Sequence, residues 1–232
     1  MRNIAVVLAG GSGQRMGMRM PKQFMALAGR TVIEHAVDIF NAHSAIDGVG
    51  IVVHPDWRST LDSILQRNHW DKLLGIANGG AERYLSSLAA IEAFGGNDEC
   101  NLLLHDAARP LIDSDTVSRV TEALVCHPAV AVAIPSVDTV FQVDDGKVQA
   151  IPQRTTMWLA QTPQAFRCSL LRDAYKRALS DASFAATDDC GVVHRYRPDI
   201  DIYVVEGDSR NFKITFPEDI QRAEMVIQRH HA

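Results

Sequence analysis

Hydrophobic positions along this chain alternate between two periods. Short β-branched apolar runs at Ile4–Ala9, Gly50–Val53, Asn101–Leu104, Ala129–Ile134 and Ile202–Val205 read as strands, and most of the stretches between them carry a helical spacing. In Thr31–His43 the residues Val32, Ile33, Ala36, Val37, Ile39 and Phe40 form one stripe, and Thr31-Val32-Ile33-Glu34 fits a capping box. Helices are also predicted at Trp57–Trp70, at Glu82–Phe94 closed by Gly95-Gly96, at Asp115–Cys126, at Ser169–Leu179, and at Pro217–Arg229 with proline in its first turn. Strands that are apolar on both faces and alternate with helices predict an α/β fold, a Rossmann-like, mainly parallel sheet with helices on both faces.

One interval breaks the rhythm. Thr139–Val143 and Lys147–Ile151 alternate with period two around Asp144-Asp145-Gly146, a hairpin signal, so an arm is predicted to project from the core. Without repeats, low-complexity tracts or long loops, the chain reads as a single domain over 1–232, with 137–160 as the arm.

Composition narrows the function classes. The 232 residues carry a net charge of −5, which lacks the basic footprint of a nucleic-acid binder. No apolar run approaches the ~18 residues of a membrane span, and the apolar start runs into glycines as a buried strand does, not a signal peptide. Cys100, Cys126, Cys168 and Cys190 form no C-x-x-C pair, which suits a reducing cytoplasm. His35, His43, His54, His69, His105, His127 and His194 lack metal-ligand spacing and read as core or surface residues.

The strongest chemical signal is Leu8-Ala9-Gly10-Gly11-Ser12-Gly13-Gln14-Arg15-Met16-Gly17 directly after the first strand, with Pro21-Lys22-Gln23 behind it. Glycines at the carboxyl end of a parallel strand let backbone N–H groups approach a polyphosphate. The segment is not a P-loop, since no glycine in it is followed by lysine at the required spacing. A dinucleotide fingerprint would need glycine where Met16 stands, which makes an NAD-dependent oxidoreductase the remote alternative. The distinguishing feature is a pair of cations after the glycines, Arg15 and Lys22, of the kind that neutralise charge gathering on a phosphorus under attack.

Leu8–Gly17 with Pro21-Lys22-Gln23 resembles the nucleotide-binding signature of sugar-phosphate nucleotidyltransferases, and four more stretches match in order: Gly79–Ser86, His105–Pro110, Gln161–Gln164 and Asn211–Thr215. Together they are similar to the family of 2-C-methyl-D-erythritol 4-phosphate cytidylyltransferases and the related ribitol-5-phosphate enzymes, across essentially the whole chain. The resemblance implies a nucleotide-diphospho-sugar transferase type of fold and transfer of CMP from CTP to a five-carbon polyol phosphate, with Mg²⁺ and release of pyrophosphate. It implies Arg15, Lys22 and Lys213 as catalytic cations, and Ala9, Gly10, Gly11, Ser12, Gly13, Gly80, Arg83, Ser86, Asp106 and Ala107 as nucleotide-binding residues. Arg109, Thr139, Arg154, Thr162 and Thr187 would bind the acceptor, and Asp106 would assist the metal, held mostly by the CTP phosphates. The arm would cross into a second subunit, making a homodimer with composite sites. Leu8-Ala9-Gly10-Gly11, Ser87, Phe141 and Cys190 depart from the methylerythritol pattern towards the ribitol-5-phosphate enzymes of teichoic-acid and capsule assembly, which are the alternative acceptor reading.

Overall fold

A computed structural model describes residues 1–11, 20–96, 98–185 and 188–230. In chain order the elements are β1 (Arg2–Ala9), β2 (Ala26–Leu27), β3 (Arg30–Thr31), α1 (Val32–Ala42), β4 (Gly48–Val53), α2 (Arg58–Leu65), β5 (Leu73–Asn78) and α3 (Arg83–Phe94). They continue as β6 (Cys100–Asp106), α4 (Ser114–Cys126), β7 (Ala129–Pro135), β8 (Gln142–Asp144), β9 (Lys147–Ala150), β10 (Trp158–Arg167), α5 (Cys168–Ala178), α6 (Asp189–Tyr196), β11 (Tyr203–Glu206) and α7 (Glu218–His230).

Seven strands form one sheet in the order β11-β7-β10-β6-β1-β4-β5. β1 lies near its centre, parallel to β4 and β6, and β10 alone runs antiparallel, between β6 and β7. The apolar run of β1 follows from its place: Ala5, Val7 and Ala9 join the core beneath α1, α2 and α4, while Ile4, Val6 and Leu8 join the core beneath α3, α5 and α6. A strand covered on both faces has no polar side to show.

All five predicted strands are present, extended by a residue or two or shifted by one, as are six predicted helices. Not anticipated were the short β2–β3 pair, two strands of the main sheet and a helix. β10 contains Pro163 between polar residues, which argues against a central strand from sequence. The sheet accommodates it with a break in the β10–β7 register between Ala160 and Gln164. β5 is an edge strand with Gly75 inside it, and α6 is a short helix whose Asp188 cap accepts the Gly191 N–H at 2.7 Å. The Trp57–Trp70 helix is shorter than expected, running from Arg58 to Leu65.

The hairpin forms as β8 and β9, with Asp145 at φ 47° and Gly146 at φ 70°. Positive φ at both central residues is the geometry a two-residue turn needs to match the strand twist. The arm leaves the core after β7 and returns into β10, at the carboxyl end of the parallel strands.

The predicted capping box organises the start of α1. The buried Glu34 carboxylate accepts the Thr31 N–H at 2.7 Å and its hydroxyl at 2.6 Å, and also receives Arg67 at 2.7 Å and Asn68 at 2.7 Å. Burial alone would raise its pKa, but the hydrogen bonds from Arg67, Thr31 and Asn68 outweigh it and hold the group at about 2 instead of 4.5. A depressed carboxylate stabilises the fold above its unfolded pKa and loses that contribution as pH falls through the folded one. Glu34→Gln is therefore expected to cost about 1–3 kcal/mol at neutral pH and to flatten the loss of stability between pH 4.5 and about 2, measured by urea unfolding across pH.

Candidate active site

The carboxyl ends of β1, β4 and β6 lie side by side, with Leu8 in register with both Val52 and Asp106. Ligands in open α/β sheets bind at such strand ends. The turn leaving β6 is tied to β1 by the Ala107 N–H donating to Leu8 O at 3.0 Å, and Gly79 is tied to β4 through Val53 O at 2.8 Å. Gly10, Gly79-Gly80 and Asp106 are thereby drawn to one edge.

Glycine is required here by proximity. A Cβ on Gly10 would stand 2.2 Å from Ser86 Oγ, and one on Gly79 would stand 2.7 Å from the same atom. Two bare backbones allow the first turn of α3 to close against the end of β1, with Ser86 buried between them. Gln23, also buried, donates from Nε2 to Ala9 O at 2.9 Å and Gly11 O at 3.1 Å. That pins the single turn Lys22–Phe24 beside the glycines and places Lys22 at the site. Gln23 sits inside the Pro-Lys-Gln signature, yet its positioning role was not read from sequence.

Asp106 is the electrostatic centre. Its Oδ2 receives Lys213 Nζ at 2.6 Å and its Oδ1 receives Arg83 Nε at 3.2 Å. Arg83 donates its second contact, at 2.6 Å, to Asp189, which also accepts the Tyr175 hydroxyl at 2.6 Å. Burial would raise the Asp106 pKa, but Arg83 and Lys213 hold it well below the usual carboxylate range. Burial likewise opposes the charge on Arg83, and Asp189 with Asp106 raises its pKa in spite of it. Burial and the neighbouring Asp189 charge push the Tyr175 hydroxyl up. One nitrogen of Arg83, Nη2, is buried with no hydrogen-bond partner among the described residues.

Three of the expected site residues have partners within the protein itself. Asp106 has both oxygens engaged by cations, and no group of three or more His, Cys, Asp or Glu suited to a metal occurs among the described residues. Lys213, its side chain partly exposed, pairs with this carboxylate. Thr162, expected to touch the acceptor, is buried, with its hydroxyl between the Asp106 N–H at 3.1 Å and His105 Nδ1 at 3.0 Å.

Arg109 extends along the same edge, donating to Asn211 O at 2.8 Å and Ala160 O at 3.3 Å, with Nε buried and unpartnered. Thr139 and Arg154 stand apart on the exposed arm, where Arg154 reaches Val137 O at 3.3 Å. Ser12, Gly13, Arg15 and Thr187 lie outside the described residues. Tyr175, Asp189 and Gln164, which accepts the Asp189 N–H at 3.0 Å, complete the network without any sequence signal beyond Asp188-Asp189 following Thr187.

Gly10→Ala is expected to lower thermal stability by the equivalent of about 1–3 kcal/mol, and the second change Ser86→Ala to recover part of it, because the 2.2 Å clash involves only the serine hydroxyl. Additive melting losses in the double variant would contradict this.

The family model for 2-C-methyl-D-erythritol 4-phosphate cytidylyltransferase matches residues 3–229. A protein of that name from Thermobifida fusca is 42% identical over 98% of this chain and 94% of its own length. The bifunctional ribulose 5-phosphate reductase/CDP-ribitol pyrophosphorylase of Haemophilus influenzae is 37% identical over 98% of this chain and 48% of its own length. Among solved structures, 4-diphosphocytidyl-2C-methyl-D-erythritol synthase from Anaerococcus prevotii superposes with a TM-score of 0.86 at 31% identity, covering 98% of this chain and 96% of that one. With the described parts of the signature segments gathered at the carboxyl ends of the parallel strands and this likeness running from end to end, the chain belongs to the 2-C-methyl-D-erythritol 4-phosphate cytidylyltransferase family.

Proposed function

We propose that this protein transfers CMP from CTP to 2-C-methyl-D-erythritol 4-phosphate, releasing pyrophosphate, in isoprenoid synthesis. The observation that carries the reading is the convergence of the glycine-lined end of β1, the Ser86 turn and the Asp106–Arg83–Lys213 cluster on one edge.

In this reaction an oxygen of the acceptor phosphate attacks the α-phosphorus and the bond to the pyrophosphate oxygen breaks. The nucleophile is already an anion, so no general base is needed; positioning and charge neutralisation supply the rate. Backbone N–H groups of Ala9, Gly10, Gly11, Ser12 and Gly13 cradle the triphosphate, and Gly80, Arg83, Ser86 and Ala107 hold the nucleoside. Arg15, Lys22 and Lys213 face the phosphates, Lys213 exchanging its Asp106 partner for them, and Arg109 with Thr187 holds the acceptor. Mg²⁺ arrives on CTP as part of the substrate, in keeping with the Asp106 oxygens being taken up by Arg83 and Lys213.

The enzyme works as a homodimer, each arm bringing Thr139 and Arg154 to the other subunit's acceptor phosphate. Supporting this, the arm exposes Val137 (80%), Phe141 (54%), Val143 (56%), Val148 (51%) and Ile151 (61%), a run of apolar side chains that a monomer would leave in water. A surface groove reaching Trp158, where the arm returns into β10, mixes Tyr203 and Val204 with the charged Arg119, Glu122 and Glu206. The four cysteines are unpaired, which suits the reducing cytoplasm where CTP is made. No helix among the described residues is long and apolar enough to cross a membrane.

Pyrophosphate release from MgCTP, followed in parallel with 2-C-methyl-D-erythritol 4-phosphate and D-ribitol 5-phosphate, is expected with the former alone; release with ribitol phosphate alone would overturn the acceptor assignment. Phe141→Asp is expected to shift the sedimenting species from dimer to monomer and to lower kcat/KM for the acceptor by on the order of 10²-fold, as loss of a positioned contact does. A monomeric wild type would refute the composite site.

A further inference from the structure

His105 has no part in the transfer described above. It is the penultimate residue of β6, fully buried, with its ring edge-on to Phe40 at 5.1 Å between centroids and 66° between planes. Both ring nitrogens are engaged nonetheless: Nε2 lies 2.9 Å from Arg109 O and Nδ1 lies 3.0 Å from Thr162 Oγ1.

One arrangement of hydrogens satisfies these contacts with a neutral ring. A carbonyl oxygen can only accept, so Nε2 carries the hydrogen. With Nε2 as the protonated nitrogen of a neutral ring, Nδ1 is the bare acceptor, and the full burial of the ring is in keeping with this. The Thr162 hydroxyl must then donate to Nδ1, and its lone pair receives the Asp106 N–H at 3.1 Å. The result is two hydrogen-bonded arms from one ring. One passes through Thr162 to the backbone of Asp106; the other ends on the carbonyl of Arg109.

Asp106 and Arg109 are the two ends of a single turn, closed by the Arg109 N–H on Asp106 O at 2.9 Å. Between them Ala107 is tied to Leu8 O, and Ala108 O receives the Ile214 N–H at 2.8 Å, next to Lys213. Errors in the placement of this turn would therefore move the nucleotide side and the acceptor side of the site together.

We propose that His105, as its neutral Nε2–H tautomer, is a positioning residue that clamps both ends of the Asp106–Arg109 turn, through Thr162 to one end and directly to the other. The inference rests on the cytidylyl transfer proposed above. An apolar side chain of similar size would pack as well against Phe40 but would leave the Thr162 hydroxyl and the Arg109 carbonyl without their partner. A fully satisfied buried network, by contrast, specifies one geometry.

Two substitutions separate the arms. Asparagine places its amide near the Nδ1 position and glutamine near the Nε2 position, so His105→Asn keeps a partner for Thr162 and loses Arg109, while His105→Gln does the reverse. His105→Asn is expected to raise KM for the acceptor about tenfold or more while KM for CTP stays within about threefold. His105→Gln and Thr162→Val are expected to lower kcat by on the order of 10²-fold, Thr162→Ser to stay within about threefold of wild type, and the double variant His105→Gln/Thr162→Val to fall no further than Thr162→Val alone. Nitrogen-15 imidazole spectra of the wild type should show Nδ1 unprotonated and Nε2 protonated at neutral pH, with the Nδ1 resonance moving in Thr162→Val.

An Nδ1–H tautomer, or losses in every variant that scale only with the fraction of folded protein, would overturn the clamp. A wild type that releases no pyrophosphate with either acceptor would defeat the cytidylyl-transfer reading instead, and the imidazole spectra would still decide the hydrogen-bond arrangement.

Discussion

A carboxylate taken out of water at the end of a central strand has to be compensated, and the site is built around that requirement at Asp106. Arg83 from α3 and Lys213 from the segment before α7 supply the positive charge. Asp189 and Tyr175 then balance Arg83 from the far side. Four separate parts of the chain are committed to one charge, so their relative positions are set electrostatically as well as by packing. In a low-dielectric setting such groups need little reorganisation when a substrate carrying several negative charges arrives. In the proposed reaction a polyphosphate would compete for the same cations that Asp106 holds.

The parallel sheet makes this convergence possible. β1, β4 and β6 run the same way and in register, so their carboxyl ends present turns at one level. Close approach of backbones does the rest, since Gly10 and Gly79 leave room for Ser86 where any larger residue would not. β10, running the other way, contributes Gln161, Thr162 and Gln164 from its middle, where the register breaks. Those polar groups are all buried and all hydrogen-bonded, to Asp208 O, to Asp106 N with His105, and to Asp188 with Asp189. The strand that reads least like a strand is thus the one that braces the site from behind.

The glycine-rich end of β1 with the cations behind it was legible as a local motif at a strand end, whereas Ser86, Asp106, Arg109 and Lys213 were named only through the family resemblance. The hairpin was legible too, since Asp145-Gly146 supplies the positive φ that its turn requires. Gln23, Gln164, Tyr175 and Asp189 were not, because each acts through a partner distant in sequence, and a glutamine or tyrosine looks the same whether it braces a loop or faces solvent. His105 shows the difference most clearly: nothing in its spacing announces its two partners, which come from Arg109 and from Thr162, 57 residues away.

What the sequence by itself determined was the set of elements and the chemistry they carry: apolar runs that must be covered on both faces, a capped first helix, a polyphosphate loop and an arm. Period and local turn chemistry are properties of neighbouring residues, so no fold is needed to read them. Only the tertiary structure decided which charges meet. It placed Lys213 on Asp106, turned the Thr162 hydroxyl inward, occupied the carboxylate oxygens of Asp106 with cations and inserted β10 against the run of the sheet. Those outcomes depend on burial and on hydrogen-bond partners brought together across the whole chain, and desolvation then decides which pairings are favourable.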